Sequence, residues 1–199
     1  MTMRRMTMPE LALPTLWQSE VQQQVYRQLL QAMAYPGRIA ELRSIIADES
    51  AMGAVIATMV DPAVQLCDPQ GLLGEEFLRF SHACLAPPEA ADWLVLDGEN
   101  PVPQALAPAI GSLEEPERSA TLVIQVEALG DPAPTLGILR GPGLKTDLAL
   151  KARGFHPSWL SARAQWCAKF PQGVDCILCA GQSMLALPRT TLITLSGGQ

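Results

Sequence analysis

The sequence predicts an α/β fold, a three-layer αβα sandwich on a mixed sheet, from three observations. Helical and strand-like segments alternate through the first half, the second half is richer in β-prone runs joined by tight turns, and 48% of the 199 residues are hydrophobic. Early alternation calls for parallel strands with helices between them; late hairpins add antiparallel ones. Charged residues make up only 17% and mean hydropathy is slightly positive, so the chain has more apolar surface than an isolated domain of this size needs. An oligomer or a complex is expected.

Residues 1–16 read as a flexible arm and 17–199 as a single domain. In the arm, Pro9 and Pro14 interrupt the apolar run that a signal peptide would need after Arg4 and Arg5. Ser19 with Gln22 has capping-box spacing, and Val21, Val25, Leu29 and Met33 recur every four residues beside Tyr26 and Leu30, which predicts an amphipathic helix. Pro36-Gly37 stops it. Ser50 to Val60 is apolar nearly all round and reads as a buried helix ended by Asp61-Pro62. A strand over Ala63 to Cys67, a helix over Leu72 to Phe80 and a strand over Trp93 to Leu96 follow. Proline-rich punctuation from Pro101 to Pro116 brackets a short helix from Gln104 to Ala109.

Ala120 to Leu129 alternates as a half-buried strand should, with Leu136 to Arg140 as its expected antiparallel partner. Ser158 to Phe170 suits a helix stopped by Pro171 and Gly173. Val174 to Ala180 and Ser183 to Leu187 read as strands joined by Gly181-Gln182, a two-residue link with glycine first as a type II′ turn requires, and Thr190 to Leu195 is a final β-prone run.

Net charge is −6, so no basic field gathers nucleic acid or anionic lipid. Every apolar run is interrupted before the ~20 residues that a membrane span needs. Five cysteines, an odd number at scattered positions, do not form a secreted disulfide framework; a reducing cytoplasm fits them.

Candidate chemistry is sparse. Cys176 and Cys179 have redox or zinc spacing, but they fall in a strand, where residues three apart point to opposite faces, and no paired ligands accompany them. They read as small core residues. His82 and His156 are isolated imidazoles with no orienting partner nearby in sequence. Arg140-Gly141-Pro142-Gly143-Leu144-Lys145 could hold a phosphate, since glycines let backbone amides approach an anion while Arg140 and Lys145 add charge. It lacks both the P-loop and the dinucleotide fingerprints, and a tight strand-to-loop turn is the competing reading. In Pro188-Arg189-Thr190-Thr191 the arginine could grip an oxyanion, or satisfy carbonyls and a subunit contact. The candidate ligand residues are therefore Arg140, Gly141, Gly143, Lys145 and Arg189. No catalytic residue, metal site or cofactor is expected. A pyridoxal phosphate enzyme would need a Schiff-base lysine, and Lys145, Lys151 and Lys169 lie in no such pattern.

The segment Tyr26-Arg27-Gln28-Leu29-Leu30-Gln31-Ala32-Met33-Ala34-Tyr35-Pro36-Gly37 resembles the opening motif F-R-x-L-L-x-A-M-S-x-P-G of the PhnH family, with Tyr26 and Ala34 in the phenylalanine and serine positions. Leu78-Arg79-Phe80 with His82, Ala120-Thr121-Leu122, Gly141-Pro142-Gly143, Phe170 through Asp175 and Ala186 through Thr191 resemble later blocks in the same order. The stretch from Trp159 to Trp166 departs from the pattern. The resemblance implies a homodimer-forming cytoplasmic subunit of the carbon-phosphorus lyase core complex, beside PhnG-, PhnI- and PhnJ-type subunits. With the G, I and L proteins it implies a part in making alpha-D-ribose 1-methylphosphonate 5-triphosphate from ATP and methylphosphonate, as a non-catalytic assembly subunit. It also implies a fold like that of pyridoxal-phosphate-dependent transferases, without the cofactor.

Overall fold

The computed structural model describes residues 13–195. The expected flexible arm falls mostly outside them. Its last two residues, Thr15 and Leu16, belong to the 3-10 turn Thr15–Trp17, and Leu16 is buried in the core.

Helix α1 runs Ser19–Ala34 and buries Val25, Leu29 and Ala32. The expected capping box is absent, because the helix begins one residue early: Gln18 is the N-cap and the Ser19 hydroxyl turns to the neighbouring Glu20 carboxylate. Gln22, the other half of that box, instead donates to the Ala57 carbonyl at 2.6 Å. Ala57 belongs to α3, Ala51–Met59, where every residue from Ala51 to Ala57 is buried as its sequence predicts. Ser50 caps α3 by accepting the Gly53 N–H. A four-residue helix, α2 at Arg43–Ile46, leads into it, and α4 spans Gly74–Ser81.

A seven-stranded sheet forms the centre. Its strands are β1 (Ala40–Glu41), β2 (Gln65–Cys67), β3 (Cys84–Leu85), β4 (Trp93–Asp97), β5 (Thr121–Gln125), β9 (Asp175–Ala180) and β10 (Ser183–Leu187), in the spatial order β1-β10-β9-β5-β4-β2-β3. β9, β5, β4, β2 and β3 are parallel, while β10 and β1 are antiparallel additions. The mixed sheet is thus as expected. So is the β9–β10 hairpin, with Ala180 opposite Ser183 and Gly181 at φ +53°.

Two predictions about elements need correction. β5 is not half-buried with Leu136–Arg140 beside it; it lies between parallel β4 and β9, and Leu122, Val123 and Ile124 are all buried. The chain leaves the sheet at Val126, and the rest of the expected strand becomes β6 (Ala128–Leu129) in a second sheet. There β7 (Thr135–Arg140) pairs with β8 (Leu148–Arg153) and with β11 (Leu192–Leu195), in the order β11-β7-β8-β6. The expected helix at Gln104–Ala109 is also absent. With Pro101 and Pro103 before them and Pro108 among them, these residues form a turn followed by irregular chain.

One face of the central sheet, through Leu66, Val95, Val123, Ile177 and Met184, packs on α1 and α3. The other, through Leu94, Leu96, Leu122, Ile124 and Leu178, packs on α5 (Ser158–Trp166) and on Leu139, Leu150 and Ala152 of the second sheet. The third layer is therefore part helix and part antiparallel sheet, which corrects the αβα expectation. Burying one such side chain contributes about 1.5–3 kcal/mol, so both faces are substantial sources of stability. No helix among the described residues is long and apolar enough to cross a membrane.

Candidate functional site

The two candidate anion-binding segments lie next to each other because β11 pairs with β7, placing Leu192 opposite Arg140. A Cβ on Gly141 would lie 3.0 Å from the Thr190 carbonyl oxygen. Each guanidinium nevertheless closes on its own carboxylate. Arg140 donates to Asp147 across the β7–β8 hairpin, Nε to Oδ1 at 2.8 Å and Nη2 to Oδ2 at 2.5 Å. These hydrogen bonds hold the Asp147 carboxyl below its ordinary range and push Arg140 up.

Gly143, at φ +82°, is needed for close approach. A Cβ there would stand 2.2 Å from the Ala34 carbonyl oxygen and 2.8 Å from the Pro36 ring. The Gly-Pro-Gly turn thus seats on the end of α1, so this turn and the Pro36-Gly37 stop are two halves of one packing contact. Lys145 is exposed on the same connection.

Arg189 is largely buried, with its side chain 17% exposed and that of Asp175 16% exposed. Its Nη2 donates to Asp175 Oδ2 at 2.6 Å and to the Ser119 hydroxyl, and its Nη1 donates to the Pro116 carbonyl at 2.8 Å and the Pro171 carbonyl at 3.4 Å. The Arg189 N–H also donates to Asp175 Oδ1 at 2.7 Å. One guanidinium therefore ties the 116–119 segment, the start of β9 and the chain after β10 together. Phe170, Leu113 and Leu192, on or beside the segments so joined, are the most exposed large hydrophobic side chains among the described residues, at 69%, 66% and 69%.

The cysteine pair behaves as strand parity requires. Cys176 faces the α5 side and Cys179 the α1–α3 side, both 2% exposed. Burial pushes the Cys176 thiol up to about 12 and raises Cys179 as well, so both are neutral packing groups at ordinary pH. His82 ends α4 in a left-handed conformation at φ +50°. His156 Nδ1 accepts the Ser158 N–H at 3.2 Å and lies 2.9 Å from the Ser158 hydroxyl at the start of α5. Lys151 donates to Asp131 at 2.6 Å. Among the described residues no group of three or more histidine, cysteine or acidic side chains could hold a metal.

Arg163 is the residue that sequence reasoning missed. It is 5% exposed, and its guanidinium donates to the carbonyls of Thr191 at 3.1 Å, Pro188 at 2.5 Å and Leu187 at 3.4 Å. Its Nε and the Thr191 hydroxyl have no protein partner. A signal was present: Arg163 stands three residues after Leu160 and four after Trp159, on the helix face that those apolar residues define.

Residues 15–194 match the model of a family described as bacterial phosphonate metabolism protein (PhnH). A putative C-P lyase subunit protein HtxG of Stutzerimonas stutzeri is 42% identical over 182 residues, covering 92% of this chain and 90% of that protein. The alpha-D-ribose 1-methylphosphonate 5-triphosphate synthase subunit PhnH of Rhizobium meliloti (strain 1021) is 31% identical over 187 residues, covering 85% of this chain and 88% of its own length. With the motif blocks meeting at the Gly143 and Arg189 contacts and the family's pattern running through nearly all of the described fold, the chain belongs to the PhnH family.

Proposed function

We propose that this chain is a non-catalytic assembly subunit of a carbon-phosphorus lyase system, within an alpha-D-ribose 1-methylphosphonate 5-triphosphate synthase like that of its Rhizobium meliloti relative. One observation carries this reading: Arg140 and Arg189, its strongest candidates for chemistry, are spent on internal carboxylates, while Phe170, Leu113 and Leu192 stand exposed around the Arg189 junction. An apolar patch on a rigid frame is what a subunit contact needs. The partners in this reading are a second copy of the chain and PhnG-, PhnI- and PhnJ-type subunits. All five cysteines are free, in keeping with a cytoplasmic location, and the two cores share one sheet, in keeping with a single domain. Phe170→Asp with Leu192→Asp is expected to leave the isolated chain folded by circular dichroism and to abolish its co-purification with the other subunits. Undiminished co-purification would remove the reading.

A fold related to pyridoxal-phosphate-dependent transferases remains an implication of the family resemblance. Offered pyridoxal phosphate, the chain is expected to stay colourless and take up none; visible absorbance of a bound cofactor would contradict that expectation.

A second reading rests on exposed Lys145 beside the positive-φ Gly141 and Gly143. Here the 140–145 turn holds a phosphate, with Arg140 released from Asp147 and Arg189 alongside. Calorimetry with pyrophosphate tests it: Lys145→Ala should weaken binding, and an unchanged affinity would exclude the site.

A further inference from the structure

The central sheet leaves one crevice that the assembly reading does not use. β2 and β4 are parallel neighbours, but the chain leaves their carboxyl ends toward opposite faces. After β2 it passes into α4, whose Phe77 and Leu78 pack on the α1–α3 side; after β4 it enters the 98–120 segment, whose Val102, Leu106 and Ala109 pack on the other. Such a divergence opens a cleft beyond the strand ends, the usual position for a ligand in an open α/β sheet.

A cavity of about 210 Å³ occupies this position, with Trp159, Leu96 and Leu106 among its apolar walls and Pro69, Pro88 and Pro101 as stiff ones. The walls are fixed by hydrogen bonds. Trp159 Nε1 donates to the Asn100 carbonyl at 2.9 Å, which sets the plane of the indole. β4 runs past the end of β2, and the Asp97 N–H that β2 cannot reach donates to Gln70 Oε1 at 2.9 Å. A backbone N–H can only donate, so the carbonyl of this amide must face it, leaving Nε2 as a donor for something else. The Asp97 carboxylate is held by the Glu99 N–H at 3.0 Å and the Asn100 side chain at 2.7 Å, with lone pairs remaining on each oxygen. The lining is overwhelmingly apolar, with the Gln70 amide and Asp97 carboxylate as its side-chain polar groups and no lysine or arginine.

We infer that this crevice binds a flat, uncharged heteroaromatic ring bearing an amino group beside a ring nitrogen, the chemistry of an adenine or cytosine edge. The ring faces replace water chiefly against the prolines, Ala105 and Leu106, since Trp159 is 3% exposed and reaches the cavity only over a small part of its surface; the amino group donates to Asp97 and the ring nitrogen accepts from Gln70. Free phosphate and phosphonate are excluded from this cavity, because its only charged wall is Asp97. The inference stands whether or not the chain is an assembly subunit.

The test follows the Trp159 indole N–H by nuclear magnetic resonance on the full chain, with Trp159→Phe identifying the signal. Adenine should shift that signal saturably, and purine, which lacks the amino group, should bind about tenfold more weakly. Ala105→Trp, which fills the cavity from an exposed turn, should weaken adenine by about tenfold or more with the thermal transition unchanged. Adenosine binding as well as adenine would identify a nucleoside as the source; adenosine failing where adenine binds would identify the free base. No saturable shift, equal binding of purine, or full binding by Ala105→Trp would overturn the site, as would a Trp159 signal that responds only to a partner protein.

Discussion

At the residue scale, buried groups without a matching charge carry the sharpest consequences. Arg163 brings a positive charge into the core with no carboxylate to match it, its guanidinium donating to carbonyls and tying α5 to the chain between β10 and β11. Arg163→Met leaves those carbonyls dry and unpaired, and should lower the unfolding free energy in urea by about 2–4 kcal/mol. The cysteines give a prediction in pH. Their thiols are raised in the folded chain, Cys176 from 9.0 to about 12, so the unfolded chain gives up these protons first. Stability from this source is intact below pH 9 and is lost as pH rises from 9 toward 12, at ~1.4 kcal/mol per pH unit for each titrating thiol. Thermal unfolding of Cys176→Ala with Cys179→Ala should show a shallower alkaline decline than the parent chain. The parity of Cys176 and Cys179 was legible in the sequence because a strand forces side chains to alternate. The burial of Arg163 was not, since arginine ordinarily marks a helix's solvated face and the carbonyls that receive it lie some 25 residues further on.

At the scale of elements, contacts between turns decide the outcome. In the Arg189–Asp175 pair each partner is desolvated around the other, so Arg189→Ala and Asp175→Asn should be strongly non-additive, with a coupling of about 1–3 kcal/mol in a double-mutant cycle. The glycines give a paired comparison. Gly143→Ala meets the Ala34 carbonyl and a positive φ together and should cost about 2–4 kcal/mol, whereas Gly71→Ala, at φ +67° with open space around it, should cost only about 1 kcal/mol. Urea titration of both variants checks the difference. Helices α1 and α3 and the β9–β10 hairpin could be read from sequence because their signals are local: four-residue periodicity, an all-apolar run, glycine at the first turn position. The partner of β5 could not. Its choice of β4 and β9 over Leu136–Arg140 depends on chain far away, and the fully buried run Leu122-Val123-Ile124 resembled a half-buried strand only when wider alternation was weighed. β8, with a lysine and an arginine among its six residues, gave no apolar signal strong enough to notice. Arg140 and Arg189 could be singled out in the chain as candidates, but their carboxylate partners, Asp147 and Asp175, were invisible without the hairpin and strand pairings that deliver them.

At the scale of the whole molecule, the fold spends its polar side chains on joining segments and leaves apolar ones facing outward. Asp147 and Asp175 neutralise the two arginines best placed for chemistry, and three carbonyls absorb a third. The exposed Phe170, Leu113 and Leu192 lie around the junction that those arrangements hold rigid. In the proposed function, such a molecule serves by holding other subunits in place. Reconstitution of the carbon-phosphorus lyase core with and without this chain tests that claim most directly, with ribose methylphosphonate triphosphate formation followed in each preparation and in the purified chain alone. Without the chain the core is expected to fail to assemble, and the chain alone to show no turnover of ATP with an alkylphosphonate. A core that assembles and works fully in its absence, or turnover by the isolated chain, would contradict that claim.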